Sequence, residues 1–203
     1  MRKFLAISIF LMIALMLTAC SETVNEQSKM EIKNNEDSFK PSKEILVAYF
    51  SCTGKTKNLA EIAANVLDAD IFEIKPKVPY TKEDLDIHND NSRSTVEMKY
   101  DVKIRPEIVE KVPGFKYYKT IVLAYPIWWN DAPRIIDTFI ESYDFSDKTV
   151  IPICTSGKSD IVTSENFLKT LTPNSTKWID GKRFDVKDSP EEIKTWLESK
   201  IPQ

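Results

Sequence analysis

Residues 45–50 read Ile-Leu-Val-Ala-Tyr-Phe, an apolar run with no polar break, bounded on both sides by polar loop residues. A run so short and so continuous is a strand buried on both faces, the form strands take inside a parallel sheet. Directly after it, Leu59, Ile62, Ala63, Val66 and Leu67 recur at i, i+3, i+4, i+7 and i+8, one apolar stripe along a helix. The couplet then repeats. Residues 71–74 make a shorter strand, and residues 120–125 restore the buried-strand signature before Pro133 opens a helix carrying Ile135, Ile136, Phe139 and Ile140. Residues 149–154 are a fourth strand, with Pro152 as an objection because proline donates nothing to a ladder. A helix through Ile161, Leu168 and Leu171, a short fifth strand at 177–179 and a last helix complete the chain. Ser189, Pro190 and Glu192 write a capping box at the start of that last helix, and Ile193, Trp196, Leu197 and Ile201 form its stripe. Strand and helix in alternation imply right-handed crossovers and a parallel sheet covered on both faces, a doubly wound α/β domain.

One segment breaks the rhythm. Pro76 to Gly114 separates the second and third strands without an apolar strand of its own, and offers helix starts at Thr81, Ser94 and Pro106. A structureless loop of that length does not suit a compact domain, so short helices wrapped over the ligand-binding edge of the sheet are expected.

Scarce residues exclude several chemistries. The chain has four glycines, at 54, 114, 157 and 181, and so cannot write a G-x-G-x-x-G fingerprint. Its one histidine, His88, rules out paired-histidine zinc motifs, and cysteines at 20, 52 and 154 rule out C-x-x-C and a dense disulfide framework. With 31 acidic and 28 basic residues intermixed, for a net charge of −3, nucleic acid is not an expected partner.

The N-terminus reads as an address. Arg2 and Lys3 precede an apolar run from Phe4 to Leu17, too short to span a bilayer, and Leu17-Thr18-Ala19-Cys20 resembles a bacterial lipobox. Residues 1–19 would then be a lipoprotein signal peptide and Cys20 the lipidated residue, with an uncleaved signal anchor and an incidental cysteine as the alternative. Residues 20–43 form a polar tether with too few large apolar side chains to order itself. The expected location is the cell envelope, with residues 44–203 outside the cytoplasm and held to a membrane by the lipid.

Open parallel sheets bind ligands beyond the carboxyl ends of their strands, and three loops leave such ends here. Ser51-Cys52-Thr53-Gly54-Lys55-Thr56 offers three hydroxyls, a glycine and the N–H groups of a helix N-terminus, an anion site suited to phosphate. Gly54-Lys55-Thr56 also ends a Walker A loop, but the required earlier glycine is Tyr49, inside the strand, and no strand ends in an acidic residue for Mg²⁺; a P-loop NTPase is disfavoured. Pro126 to Pro133 carries adjacent tryptophans, Trp128 and Trp129, which suit a flat aromatic ligand. Thr155-Ser156-Gly157-Lys158-Ser159 again joins hydroxyls to a glycine.

Together the three loops resemble those of the flavodoxin family, most specifically in Ser51-x-Thr53-Gly54-x-Thr56 and Tyr125-Pro126-Ile127-Trp128-Trp129, with Ser92-Arg93 and Thr155-Ser156-Gly157 similar to its bacterial quinone-reductase-like branch. The resemblance implies a three-layer α/β/α fold with a five-stranded parallel sheet in the order 2-1-3-4-5, and FMN as cofactor. Ser51, Thr53, Gly54, Lys55 and Thr56 would take the phosphate. Pro126, Ile127, Trp128, Trp129 and Asn130 would line the ring, with backbone N–H groups contributing, and Ser156 and Gly157 would close its other side. The function implied is electron transfer, or NAD(P)H-dependent reduction of a quinone-like acceptor, with a small molecule or a protein as redox partner and a homodimer left open. A cofactor-free, lipid-anchored binding module of the same fold is the alternative. Within the insertion, His88 and Arg93 are candidates to face the ring edge, and Cys52 and Cys154, both near strand ends, are candidates to pair outside the cytoplasm.

Overall fold

The computed structural model describes residues 39–185 and 187–201; the expected signal peptide, Cys20 and nearly all of the expected tether lie outside the described residues. The chain separates into Met1–Lys40 and Pro41–Gln203, and the second unit carries everything that follows. In chain order it contains β1 (Ile45–Tyr49), α1 (Lys55–Val66), β2 (Asp70–Glu73), α2 (Arg93–Thr95), β3 (Thr120–Pro126), α3 (Arg134–Glu141), β4 (Thr149–Thr155), α4 (Val162–Lys169), β5 (Lys177–Trp178), β6 (Lys182–Phe184) and α5 (Pro190–Glu198).

The sheet is parallel in the order β2-β1-β3-β4-β5, as the sequence resemblance implies. Alternation along the strands builds two cores. Leu46, Ala48, Leu123 and Tyr125 face one side, under α3 and α4 with Ile136, Phe139 and Leu168. Val47, Tyr49, Val122 and Ala124 face the other, against Leu59 and Ala63 of α1 and Ile193 and Leu197 of α5. The capping box forms as predicted: Ser189 accepts from the Glu192 N–H while the Glu192 carboxylate accepts from the Ser189 N–H.

The edge strand is split, and Pro152 explains where. The Thr149 N–H bonds to Lys119, toward β3, whereas the Val150 carbonyl accepts from Ile179, toward the edge. Backbone groups alternate sides along a strand, so the missing N–H of Pro152 falls on the edge side. β5 pairs with Thr149 and Val150, and β6 resumes at Ile153–Thr155, leaving the gap beside Pro152. Gly181 fills that gap. A Cβ there would stand 2.5 Å from the Pro152 carbonyl oxygen and 2.9 Å from Ile161 Cδ1.

The insertion folds into short pieces, as expected, but not at all of the expected starts. An antiparallel bridge between Pro76 and Ile108 closes its ends. Thr81 and Asp84 cap each other's N–H groups ahead of a 3-10 turn at Glu83–Leu85. α2 begins two residues earlier than predicted: Ser92, not Ser94, is the cap and accepts from the Thr95 N–H. It runs on as a π turn, Val96–Tyr100. Pro106 opens no helix, because the chain beside it is spent on backbone pairing of Lys77 with Glu107 and Val109 with Lys75.

Gly181→Ala forces the Pro152 carbonyl or Ile161 to move and should cost about 1–3 kcal/mol of stability. Gly157→Ala, where a Cβ meets nothing within 4 Å, should stay within about 0.5 kcal/mol. Chemical denaturation of the two variants checks the contrast.

Candidate functional site

The three loops emerge side by side because β1, β3 and β4 run parallel and adjacent. They are also stitched together. The buried Thr56 hydroxyl shares a 2.8 Å hydrogen bond with that of Thr155, joining the first loop to the third. The Ile127 N–H donates to the Thr155 carbonyl, joining the second to the third. Ser159 Oγ, farther along the third loop, donates to Asn130 Oδ1.

In the first loop the Gly54 N–H donates to Ser51 Oγ, and Gly54 sits at φ +83°, left-handed backbone that glycine adopts without strain. That conformation turns the chain into α1, whose N-terminus carries no side-chain cap and no acidic residue in its first turn. Thr53, Gly54 and Lys55 are exposed there.

In the second loop Trp128 and Asp131 bond each other's backbone in both directions, and Trp129 and Asn130 occupy the bend at φ +46° and +65°. Two successive left-handed residues define a tight, primed-type turn. The Ile127 and Trp128 N–H groups are thus used by the fold, which narrows the donors this loop offers a ligand to Trp129 and Asn130. A buried ionic cluster pins the turn: Arg134 donates to Asp131 at 2.8 Å and to Asp137 at 3.1 Å. Arg105 of the insertion lies 3.5 Å from the same Asp137 carboxylate and grips Glu141 with two further bonds.

The insertion supplies the fourth wall. Trp128 packs edge-on against Phe50 and Tyr80, and Lys99 stands over the Trp129 ring. Below them Glu97, 2% exposed, accepts from the Tyr80 hydroxyl and from Arg93. Arg93 also donates to the Val78 carbonyl and lies 3.9 Å from the Tyr80 ring centre. Its guanidinium is therefore engaged inside the insertion by the Glu97 carboxylate, the Val78 carbonyl and the Tyr80 ring. His88 is exposed.

Between these walls lies a hollow of about 190 Å³ lined by Cys52, Thr53, Thr56, Leu85, Ile87, Ser94, Pro126, Trp128 and Trp129. No charged side chain lines it. A second hollow of about 400 Å³ runs along α1 and shares Thr53, with Gly54, Lys55 and Asn58 on one side and Phe184, Asp185, Asp188 and Ile193 on the other. Five of the residues predicted for the site, Thr53, Thr56, Pro126, Trp128 and Trp129, thus converge on the first hollow, and Gly54 and Lys55 on the second. Ser51, Ile127, Asn130, Ser156 and Gly157 stand in the same loops but line neither. Sequence reading missed Cys52, Leu85, Ile87 and Ser94 as wall residues. Cys52 and Cys154 are both free thiols, the former exposed and the latter buried, and burial pushes the Cys154 thiol up to about 12.

A family profile described as flavodoxin matches residues 44–200. A candidate flavoprotein from Bacteroides eggerthii is 42% identical, with a TM-score of 0.73 over 79% of this chain and 99% of its own. One from Bacteroides uniformis is 46% identical, with a TM-score of 0.73 over 78% and 99%. A flavoprotein from Lactobacillus acidophilus, solved in complex with FMN, shares the fold at 20% identity and a TM-score of 0.56, over 70% and 93%. No curated protein matches the chain.

Removing Glu97 strands Arg93 and the Tyr80 hydroxyl, so Glu97→Ala should destabilise by about 3 kcal/mol, and Glu97→Gln by less because it keeps an acceptor; urea denaturation measures both. Asp137 gives a pH signature. Burial pushes its carboxyl up to about 6 although Arg134 and Arg105 pull it down, with Asp131 the opposing carboxylate. A folded-state value above the unfolded one means the fold holds the proton more tightly, so this group's contribution to stability falls as pH rises from about 4 to about 6. The stability gap between the parent and Asp137→Asn should therefore move against the parent over that interval, as read from paired denaturation curves.

Proposed function

The chain belongs to the flavodoxin family, and on that premise we propose that it binds FMN among its three loops and works as a redox protein at the cell envelope, tethered through lipidated Cys20. The observation that carries this reading is the uncharged hollow walled by Trp128 and Trp129 and joined through Thr53 to an uncapped helix N-terminus. A flat neutral ring suits the first part and a phosphate the second. The FMN complex of the Lactobacillus acidophilus flavoprotein, a protein of this fold, supports the same reading.

The residues present fit the cofactor. Ser51, Thr53 and Thr56 with the first N–H groups of α1 hold the phosphate, and Gly54 lets the backbone turn toward it without strain; Lys55 adds an exposed positive charge beside it. Pro126, Trp128 and Trp129 flank the ring, while the Trp129 and Asn130 N–H groups remain for its polar edge. Ile127 holds the second loop to the third through its N–H on the Thr155 carbonyl, and Ser156 and Gly157 of that third loop would close the far side of the ring. When bound, FMN supplies the electron chemistry, and the protein sets its position, solvent access and partners. Two outcomes of that chemistry are proposed, transfer to a protein partner or NAD(P)H-dependent reduction of a quinone-like acceptor. The apolar Leu85 and Ile87 at the wall of the hollow suit an apolar acceptor better than a charged one.

Purified protein titrated with FMN should turn yellow and bind one equivalent at micromolar concentration. Thr53→Ala should weaken binding by about 1–2 kcal/mol, as expected for a lost hydrogen bond to a charged group. Colour lost on adding NAD(P)H alone, without air, assigns the reductase; colour lost only when a reduced partner protein is present assigns the carrier. Absence of binding at micromolar FMN overturns the redox reading in favour of a cofactor-free module.

A further inference from the structure

Ser94 is 1% exposed and its hydroxyl has no hydrogen-bond partner, yet it lines the hollow between the first loop and the tryptophans. Its neighbours are fully engaged. The Ser92 hydroxyl caps α2 and also donates to Thr95 Oγ1, and Arg93 is consumed by Glu97, Val78 and Tyr80. A buried hydroxyl left unpaired is costly, and folds retain one where a ligand completes it. Alanine would fill the same space without that cost.

We infer that Ser94 is a ligand-binding residue, the contact through which the 76–114 insertion hydrogen-bonds a polar edge of the ring or side chain of the molecule in the hollow. This rests on the flavin reading above. The phosphate is assigned elsewhere: Thr53 bridges this hollow to the second one, where Gly54, Lys55 and the uncapped N-terminus of α1 lie, whereas Ser94 lines only the first, beside Leu85, Ile87, Trp128 and Trp129. The insertion is therefore part of the binding site as well as its cover, and it recognises the portion of the ligand that FMN and riboflavin share.

The test compares the parent, Ser94→Ala and Ser92→Ala by unfolding temperature without ligand and by dissociation constants for FMN and for riboflavin. Ser94→Ala should leave the ligand-free unfolding temperature equal or higher, since it removes an unsatisfied buried group. It should also weaken FMN and riboflavin by the same factor, about tenfold, the equivalent of about 1.4 kcal/mol for one lost hydrogen bond. Ser92→Ala should lower the unfolding temperature, because that hydroxyl is a cap. If the parent binds both flavins and Ser94→Ala binds them equally well, the role of Ser94 is overturned and the flavin reading stands. If Ser94→Ala weakens FMN but not riboflavin, Ser94 serves the phosphate and the inference is overturned. If the parent binds neither flavin, both readings fall together.

Discussion

The site depends on one constraint, the parallel register in which Tyr49 stands beside Ala124 and Pro126 beside Thr155. Parallel neighbours end on the same side, so the chain must leave β1, β3 and β4 at one edge, and its loops collect there whether or not a ligand is present. The register is strongly specified because both faces are buried. A slip of one residue would exchange Val47 and Tyr49 with Leu46 and Ala48 between two cores of different depth and shape. The Ile127 N–H extends the β3–β4 ladder one bond past the strand, and the Thr56–Thr155 hydroxyl pair ties the opposite loop to its end. The mouth of the site is in this sense the last rung of the sheet.

Pro152 shows how a local defect is placed where it does least harm. On the side of β4 facing β3 a missing N–H would cut the centre of the sheet. On the edge side it cuts a strand of two residues from one of three. The gap takes a glycine, Gly181, whose N–H turns to the buried Glu165 carboxylate instead of the ladder. Because β6 then resumes beside Thr155, Phe184 is carried to the loop end of the sheet, where it lines the second hollow opposite Gly54 and Lys55.

Much of this was readable from residues alone, and the exceptions have a common cause. The apolar runs at 45–50 and 120–125, the helical stripes and the Ser189–Glu192 box are local signals that tertiary contacts reinforce, and each formed where it was expected. The Trp128–Trp129 pair is legible as a candidate wall because adjacent tryptophans at a strand end have no place to bury together, and both line the first hollow. The partners of the insertion were not legible. Ser92 and Ser94 carry the same cap chemistry two residues apart, and the linear pattern does not say which of them starts the helix; Ser92 does, accepting from the Thr95 N–H three residues on. Arg93 reads as a free cation until Glu97, one helical turn on, is seen to be buried beneath Tyr80. Nothing in a linear pattern marks Leu85 and Ile87 as wall residues, since they sit in a stretch with no helical or strand period.

The insertion is rich in charge yet ends in an uncharged wall. A carboxylate as deeply buried as Glu97 is tolerable only with a cation and further donors at hand, and Arg93 and the Tyr80 hydroxyl supply them from within the same segment. Arg105 does the same for the opposite end, turned toward Asp137 and Glu141 of α3. Each of these charges is spent on holding the insertion to itself or to the domain, and the groups left facing the hollow are two aliphatic side chains and one hydroxyl. The same ion pairs fix the aromatic platform, because Tyr80 is both the donor to Glu97 and the edge-on neighbour of Trp128. Disturbing the pair would therefore move a ring of the site as well as unfasten its cover, so the electrostatics of the insertion and the shape of the hollow are a single property of the fold.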